Sequence, residues 1–283
     1  MPSSVAIVDS PVVQDEQPIA RPTQLKLNLA TILVLTSRDL RRFFRQKSRV
    51  VGALVQPLIF WLVIGSGLAG SFQMKGASQV GYIQYFFPGI VMLVVLFTSI
   101  FTTMSVIEDR HKGFLQAVLV APASRTSLVL GKTMGGVAIA LAQAAMFLVL
   151  LPLAGYHFSA VDWPLMAAML LLTSIGLSSM GFAIAWWLDS TQGYHVVMSV
   201  LLIPLWILSG AMFPLTGASS WIGWMMRSNP MSYGVDGIRR ALTGGAIGTT
   251  GSSTLAELAV VGGFAIAATL VATWVCSRRG KKG

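Results

Sequence analysis

The chain has 283 residues, of which 54% are hydrophobic and only 11% are charged. A soluble domain carries about 25% charged residues, so this composition excludes an ordinary soluble globule and points to a polytopic membrane protein. The formal charge of +10 would suggest a nucleic-acid ligand in a soluble chain, and the lone Cys276 excludes an internal disulfide or a cysteine-rich metal site.

Residues 1–23 are polar and interrupted by Pro2, Pro11, Pro18 and Pro22, which predicts a disordered tail. Asp9, Asp15 and Glu16 stand where a secretory signal would need a basic region and an apolar core. A helix is predicted from Gln24 to Lys47. Leu29, Leu33, Leu40 and Phe44 lie near one face, with Phe43 beside them, and Arg38, Arg41, Arg42 and Arg45 charge the other side. That pattern predicts an interfacial helix, its apolar face in lipid and its arginines toward anionic headgroups.

Six apolar runs follow. A hydrocarbon core of ~30 Å needs ~20 helical residues, and spans are predicted at about 50–70, 85–107, 133–155, 164–188, 194–213 and 258–276. A charge at mid-membrane costs about 2.5–3.5 kcal/mol on insertion scales, and the ten acids and twenty bases fall outside the centres of these runs. With both termini on the inner side, sixteen bases lie in inner segments and four (Lys75, Arg227, Arg239 and Arg240) in outer ones. This asymmetry sets a multi-pass topology with cytoplasmic termini and accounts for the net charge without nucleic acid. Residues 24–277 read as one transmembrane domain and 278–283 as a basic tail. The long outer segment from Pro214 to Glu257 starts with Trp221, Trp224, Met225 and Met226, which predicts short helices dipping back toward the membrane. It continues through a Gly-, Ser- and Thr-rich connection from Thr243 to Thr254.

Two nucleotide-binding patterns fail on context. Gly65-Ser-Gly67-Leu-Ala-Gly70 has the dinucleotide spacing but ends a membrane run with no strand before it, and small residues there suit helix packing. Gly131-Lys132-Thr133 resembles the end of a phosphate loop, but Thr126 replaces the first glycine. The chain is therefore expected to bind no ATP. His111, His157 and His195 lack metal-site spacing, and Ser178 and His195 fall at different depths for a serine-protease pair. No catalytic role is expected.

The inner loop from Glu108 to Arg125 is more informative. Phe114, Leu115, Val118 and Leu119 form an apolar stripe at helical spacing, Pro122 is a stop, and Glu108 and Asp109 stand at its start, where a helix dipole favours acids.

Two stretches carry a resemblance. Glu108-Asp109-Arg110, Gly113 and then Leu119-Val120-Ala121-Pro122-Ala123-Ser124-Arg125 resemble the coupling loop of type-2 permeases of ATP-binding-cassette (ABC) exporters, the group that includes drug-resistance, lipopolysaccharide and nodulation-factor export subunits. Asn229-Pro230-Met231-Ser232-Tyr233 followed by Asp236 and Arg239 is similar to that family's segment before the last span. Arg45-Gln46-Lys47-Ser48-Arg49 leading to Gln56-Pro57 matches the family's approach to the first span. Phe114 departs from the family, where threonine more often follows the glycine. The likeness covers about Gln24 to Cys276.

The resemblance implies an all-α membrane subunit with six spans, a second permease copy, and two separate cytoplasmic ATPase subunits that hold the ATP and Mg²⁺. Glu108, Asp109, Arg110, Gly113, Phe114, Leu115, Pro122, Ser124 and Arg125 would be the ATPase-coupling residues. Asn229, Pro230, Tyr233, Asp236 and Arg239 would form the outer re-entrant motif, for which pairing of Asp236 with Arg239 or Arg240 fits a structural role. The first, second and fifth spans would line the pathway, with Met212 and Phe213 as an apolar gate. The reading that follows is ATP-driven outward export of an amphipathic drug-like or lipid-like molecule by alternating access, with export of a lipid-linked glycan, or a channel or scaffold without a motor, as the alternatives.

Overall fold

A computed structural model describes residues 23–70, 81–120, 123–215, 219–245 and 250–279, and among these residues all regular structure is helical. Residues 1–22 of the predicted 1–23 tail, Lys75, Pro122 and the end of the basic tail, with Lys281 and Lys282, lie outside the described residues. Long apolar runs favour helices because a helix satisfies its backbone N–H and C=O groups within one segment.

Eleven α-helices follow in order: α1 (Gln24–Arg45), α2 (Lys47–Gly67), α3 (Tyr82–Thr103), α4 (Ser105–His111), α5 (Phe114–Val120), α6 (Arg125–Leu148), α7 (Trp163–Trp187), α8 (Thr191–Trp206), α9 (Ser220–Ser228), α10 (Pro230–Thr243) and α11 (Thr254–Arg279). Among the described residues six stretches are long and apolar enough to cross a membrane: Val50–Gly67, Tyr82–His111, Arg125–Leu148, Trp163–Trp187, Thr191–Ala211 and Thr254–Arg278. They correspond to the six predicted runs. The third is displaced, beginning at Arg125 rather than near Thr133 and ending at Leu148 rather than Gly155. Ser124 caps its start, accepting from Ser127 N at 3.2 Å. A tight turn over Leu151–Ala154, closed by Gly155 at φ 82°, carries the chain away at its end.

The helix α3 forms the centre. Tyr85, Phe86, Phe87, Ile90, Val91, Met92, Val95 and Leu96 are wholly buried, and α3 packs on α2, α6, α7 and α8. The helix α11 lays Val261, Ala265, Ala272 and Cys276, a stripe at helical spacing, on the bundle and runs along α7. Small residues permit the closest approaches. A Cβ on Gly136 would meet Ser178 Oγ at 2.8 Å and Thr102 Oγ1 at 2.9 Å, so α3, α6 and α7 converge there.

The first helix differs from its sequence reading. Leu29, Leu33 and Phe44 are exposed as an interfacial helix requires. A second face of α1, Leu35, Asp39 and Phe43, is buried, and α1 packs along α6. Thr36 Oγ1 donates to the Gly131 carbonyl at 3.1 Å, and Ser124 N donates to Asn28 Oδ1 at 2.9 Å. Arg41 and Arg45 are exposed as predicted, but Arg38 and Arg42 turn inward to acids instead of toward headgroups.

Candidate functional site

The described residues between Glu108 and Arg125 sit at the basic end of the bundle, where Glu108, Asp109, Arg110 and Arg125 are bonded to neighbouring helices. Glu108 and Asp109 do not begin the short helix α5. They occupy the last turn of α4, which continues α3, and α5 starts only at Phe114. Between them Gly113 adopts φ +73°, a left-handed turn that glycine makes without steric cost. Leu115 is buried, Phe114 is half-buried beneath the Arg38 guanidinium (3.8 Å to the ring centroid), and Val120 is 86% exposed. The outward face of α5 is therefore Gln116, Ala117 and Val120.

The centre of the site is an ionic cluster at the meeting of α1, α4 and α6. Lys132, 3% exposed, donates to Asp39 Oδ2 at 2.9 Å, to Ser105 Oγ at 3.3 Å and to Asp109. Arg38 bonds both Asp39 and Asp109, and Arg42 bonds Glu108. A buried ion pair adds little net stability, because desolvation offsets attraction. What it does provide is a geometry that only three cations and three anions in register can satisfy.

Two further charges of the segment, Arg110 and Arg125, cap helix ends. Arg110 donates to the carbonyls of Trp186 (3.0 Å) and Leu188 (3.3 Å) at the end of α7 and pairs with Asp189. Arg125 donates to the carbonyls of Cys276 (3.3 Å) and Ser277 (3.1 Å) in the last turn of α11. Cations suit both positions, where the helix dipole is negative. The segment thus holds α1, α6, α7 and α11 at once. Lys132, Asp39, Arg38 and Arg42 were not among the residues picked out as coupling residues. The available signal was Asp39, the lone acid in an otherwise basic helix.

At the opposite end, the motif beginning at Asn229 repairs a broken helix. A wide turn over Ile207–Ala211 ends α8, with Gly210 at φ 75°, and its carbonyls need donors. Asn229 Nδ2 donates to the Leu205 carbonyl at 2.7 Å, and Ser232 Oγ donates to Leu208 at 3.2 Å. Tyr85 Oη (3.0 Å) and an Arg239 nitrogen (3.1 Å) both donate to Gly210. Asn229 also caps α10, ahead of Pro230, accepting from Met231 N at 2.9 Å. Tyr233 Oη donates to the Arg227 carbonyl at 2.9 Å.

Asp236 and Arg239 pair at 2.8 Å, each 1% exposed. Arg240 takes the buried Glu257 instead, through two hydrogen bonds of 2.9 and 3.1 Å, and that carboxylate raises the guanidinium pKa further. Burial pushes the nearby Tyr156 phenol up to about 12, which keeps it a neutral donor to the Gln84 carbonyl at 3.1 Å. Met212 and Phe213 follow the kink and are half-buried, and the Met212 carbonyl accepts from Tyr82 Oη at 3.0 Å. On α9, Trp221 and Trp224 are exposed while Met226 is buried.

Between these ends a cleft of about 330 Å³ opens beside α3. Gly52 and Pro57 of α2, Phe97 and Phe101 of α3, and His195 of α8 line it, and so does Gln143 of α6. Three of those helices are the predicted pathway spans, and α6 is an addition.

A bundle of six membrane-length helices, with a charge-braced loop after the second and a repaired kink in the fifth, defines a multi-pass membrane protein. Residues 30–243 match the family model described as ABC-2 type transporter, and the chain belongs to that family. It is a permease-type membrane subunit of an ABC transporter, a class that works with ABC ATPase subunits. Similar proteins include ycf38 of Cyanophora paradoxa, 26% identical over 216 residues, covering 74% of this chain and 72% of that protein. The daunorubicin resistance ABC transporter permease protein DrrB1 of Streptomyces coeruleorubidus is 24% identical over 228 residues, covering 80% and 79%. The inner membrane transport permease YadH of Escherichia coli K12 is 24% identical over 214 residues, covering 74% and 81%.

Proposed function

We propose that this chain is the permease of an exporter that moves an amphipathic, drug-like or lipid-like molecule outward across a bacterial inner membrane by alternating access. Two separate cytoplasmic ATPase subunits supply the ATP and Mg²⁺ chemistry, and a second permease copy completes the pathway. The carrying observation is the bonding of the Glu108–Arg125 segment to the ends of α1, α6, α7 and α11. A push on the exposed face of α5 reaches four helices through short, buried or capped contacts, as rigid-body switching requires. Both termini are cytoplasmic on this reading, since the basic residues concentrate at the coupling end.

The exposed apolar faces of α2 (Val51, Val55, Ile59) and α8 (Val196, Val200, Ile203) suit lipid and a second copy. Apolar walls in the cleft favour a drug-like or lipid-like cargo over a glycan, and the DrrB1 relative is named for daunorubicin resistance.

Purification from the native membrane in mild detergent, with ATPase activity assayed on the eluate, tests the reading. A stoichiometric cytoplasmic ATPase is expected, with coupling lost in Phe114→Ala while the fold is kept. A folded chain that never retains an ATPase would instead support a motorless channel or scaffold.

A further inference from the structure

Gln143 is wholly buried on α6. Its Oε1 accepts the Thr98 hydroxyl of α3, and its Nε2 has no hydrogen-bond partner among the described residues. Helix geometry gives the depth of this pair. Gln143 lies 11 residues beyond Lys132 on α6, and Thr98 lies 11 residues before Asp109 on α3–α4. At 1.5 Å per residue each stands about 16 Å from the ionic cluster, the middle of a ~30 Å hydrocarbon core. A donor at that depth has little bulk water to turn to.

The same Gln143 lines the cleft. Pro57, Leu93, Phe97 and Phe101 make its walls apolar and aromatic. Among the described residues no Asp, Glu, Lys or Arg lines it, and His195 stands at its basic end, its ring tilted at 38° to that of Phe101 with centroids 5.3 Å apart. Such walls reject a charged ligand through desolvation. An unused amide donor selects for an acceptor, because a ligand without one leaves the N–H buried and unpaired.

We propose that the cleft is a binding site, contained in one copy of the chain, for an uncharged aromatic molecule of two or three rings whose carbonyl or ether oxygen accepts from Gln143 Nε2. The proposal deepens the transport reading, on which its use as a cargo site rests; the binding chemistry stands apart from it.

The test uses benzophenone, which has two rings and one carbonyl, against diphenylmethane, the same shape without the acceptor. Binding to the full chain in lipid nanodiscs, without nucleotide, is measured by equilibrium dialysis after subtracting partition into empty nanodiscs. Benzophenone is expected to bind about tenfold tighter, the order of one net hydrogen bond. Gln143→Leu should bring the ratio to about one while diphenylmethane affinity holds. Gly52→Phe should abolish saturable binding of both, because a Cβ at Gly52 meets nothing within 4 Å and the ring can fill the cleft without disturbing the fold. Irradiation should attach benzophenone to the α2 and α3 segments that line the cleft.

Equal affinities in the parent chain, a ratio that survives Gln143→Leu, or unchanged binding in Gly52→Phe would each overturn the site. A ratio that behaves as expected in a chain with no ATP-driven efflux would support the site and count against the transport reading.

Discussion

Replacing Lys132 with methionine keeps the length of the side chain and removes one charge. The ammonium lies between Asp39 and Asp109, with its side chain 1% exposed and theirs 10% and 4% exposed. Removing one partner of a buried ion pair costs about 3–5 kcal/mol, because the remaining charge stays buried. Here Arg38 still reaches both acids from a side chain 30% exposed, which places the loss at the lower end, about 3 kcal/mol. That is roughly a hundredfold in the unfolding equilibrium.

Reversible unfolding in mixed detergent micelles, followed by tryptophan fluorescence, measures the loss. The double variant Lys132→Met with Asp109→Asn should recover about half of it, since the orphaned charge goes too. A single variant as stable as the parent, or a double variant no better than the single, would refute the view that the cluster is a mutually satisfied ionic unit.

Three further changes separate backbone, charge and packing effects. Gly113→Ala should cost about 1–2 kcal/mol through its left-handed φ alone, since the new Cβ has no neighbour within 4 Å, and hydrogen exchange should quicken over residues 114–120. Arg239→Leu removes the cation that Asp236 pairs with and a donor to Gly210, so a loss of about 3–5 kcal/mol is expected. Exchange should rise over residues 205–212, and Asp236→Asn in the same chain should restore part of the stability. Gly89→Ala sets a Cβ 2.6 Å from Ala211 Cβ and 2.8 Å from its Cα. The overpacking should cost about 1–3 kcal/mol in the same unfolding assay, and Ala211→Gly should give only partial relief, because the backbone contact persists.

The six spans were legible because the membrane penalises charge along the chain, and a local count of charges reads that penalty directly. The same logic misplaced the third span. It took Lys132 for a loop residue, whereas the helix begins at Arg125 and buries Lys132 against acids from two other helices. Those partners lie 93 and 23 residues away, and charge patterning within a window cannot pair them. Asp236 with Arg239 was legible because their spacing is helical, i to i+3. Gln143 was invisible, since its significance comes from Thr98 on another helix and from the cleft beside it. The kink at Gly210 was only half visible. Pro204 marked an interruption, but the donors that make it tolerable come from Asn229, Ser232, Tyr85 and Arg239.

The separation between Asp39 and Lys132 also sets a schedule for synthesis. A ribosome adding 5–20 residues per second delivers Lys132 about 5–20 s after Asp39, since Lys132 stands 93 residues further along the chain. During that interval α1 has no α6 to lie against, and its exposed leucines, Leu25, Leu29 and Leu33, are the groups able to hold it on the bilayer surface. A nascent chain arrested at residue 120 should therefore already float α1 on the membrane, with Leu35 and Phe43 open to labelling. In the finished chain both should be protected, the helix having been parked by lipid before it is locked by charge.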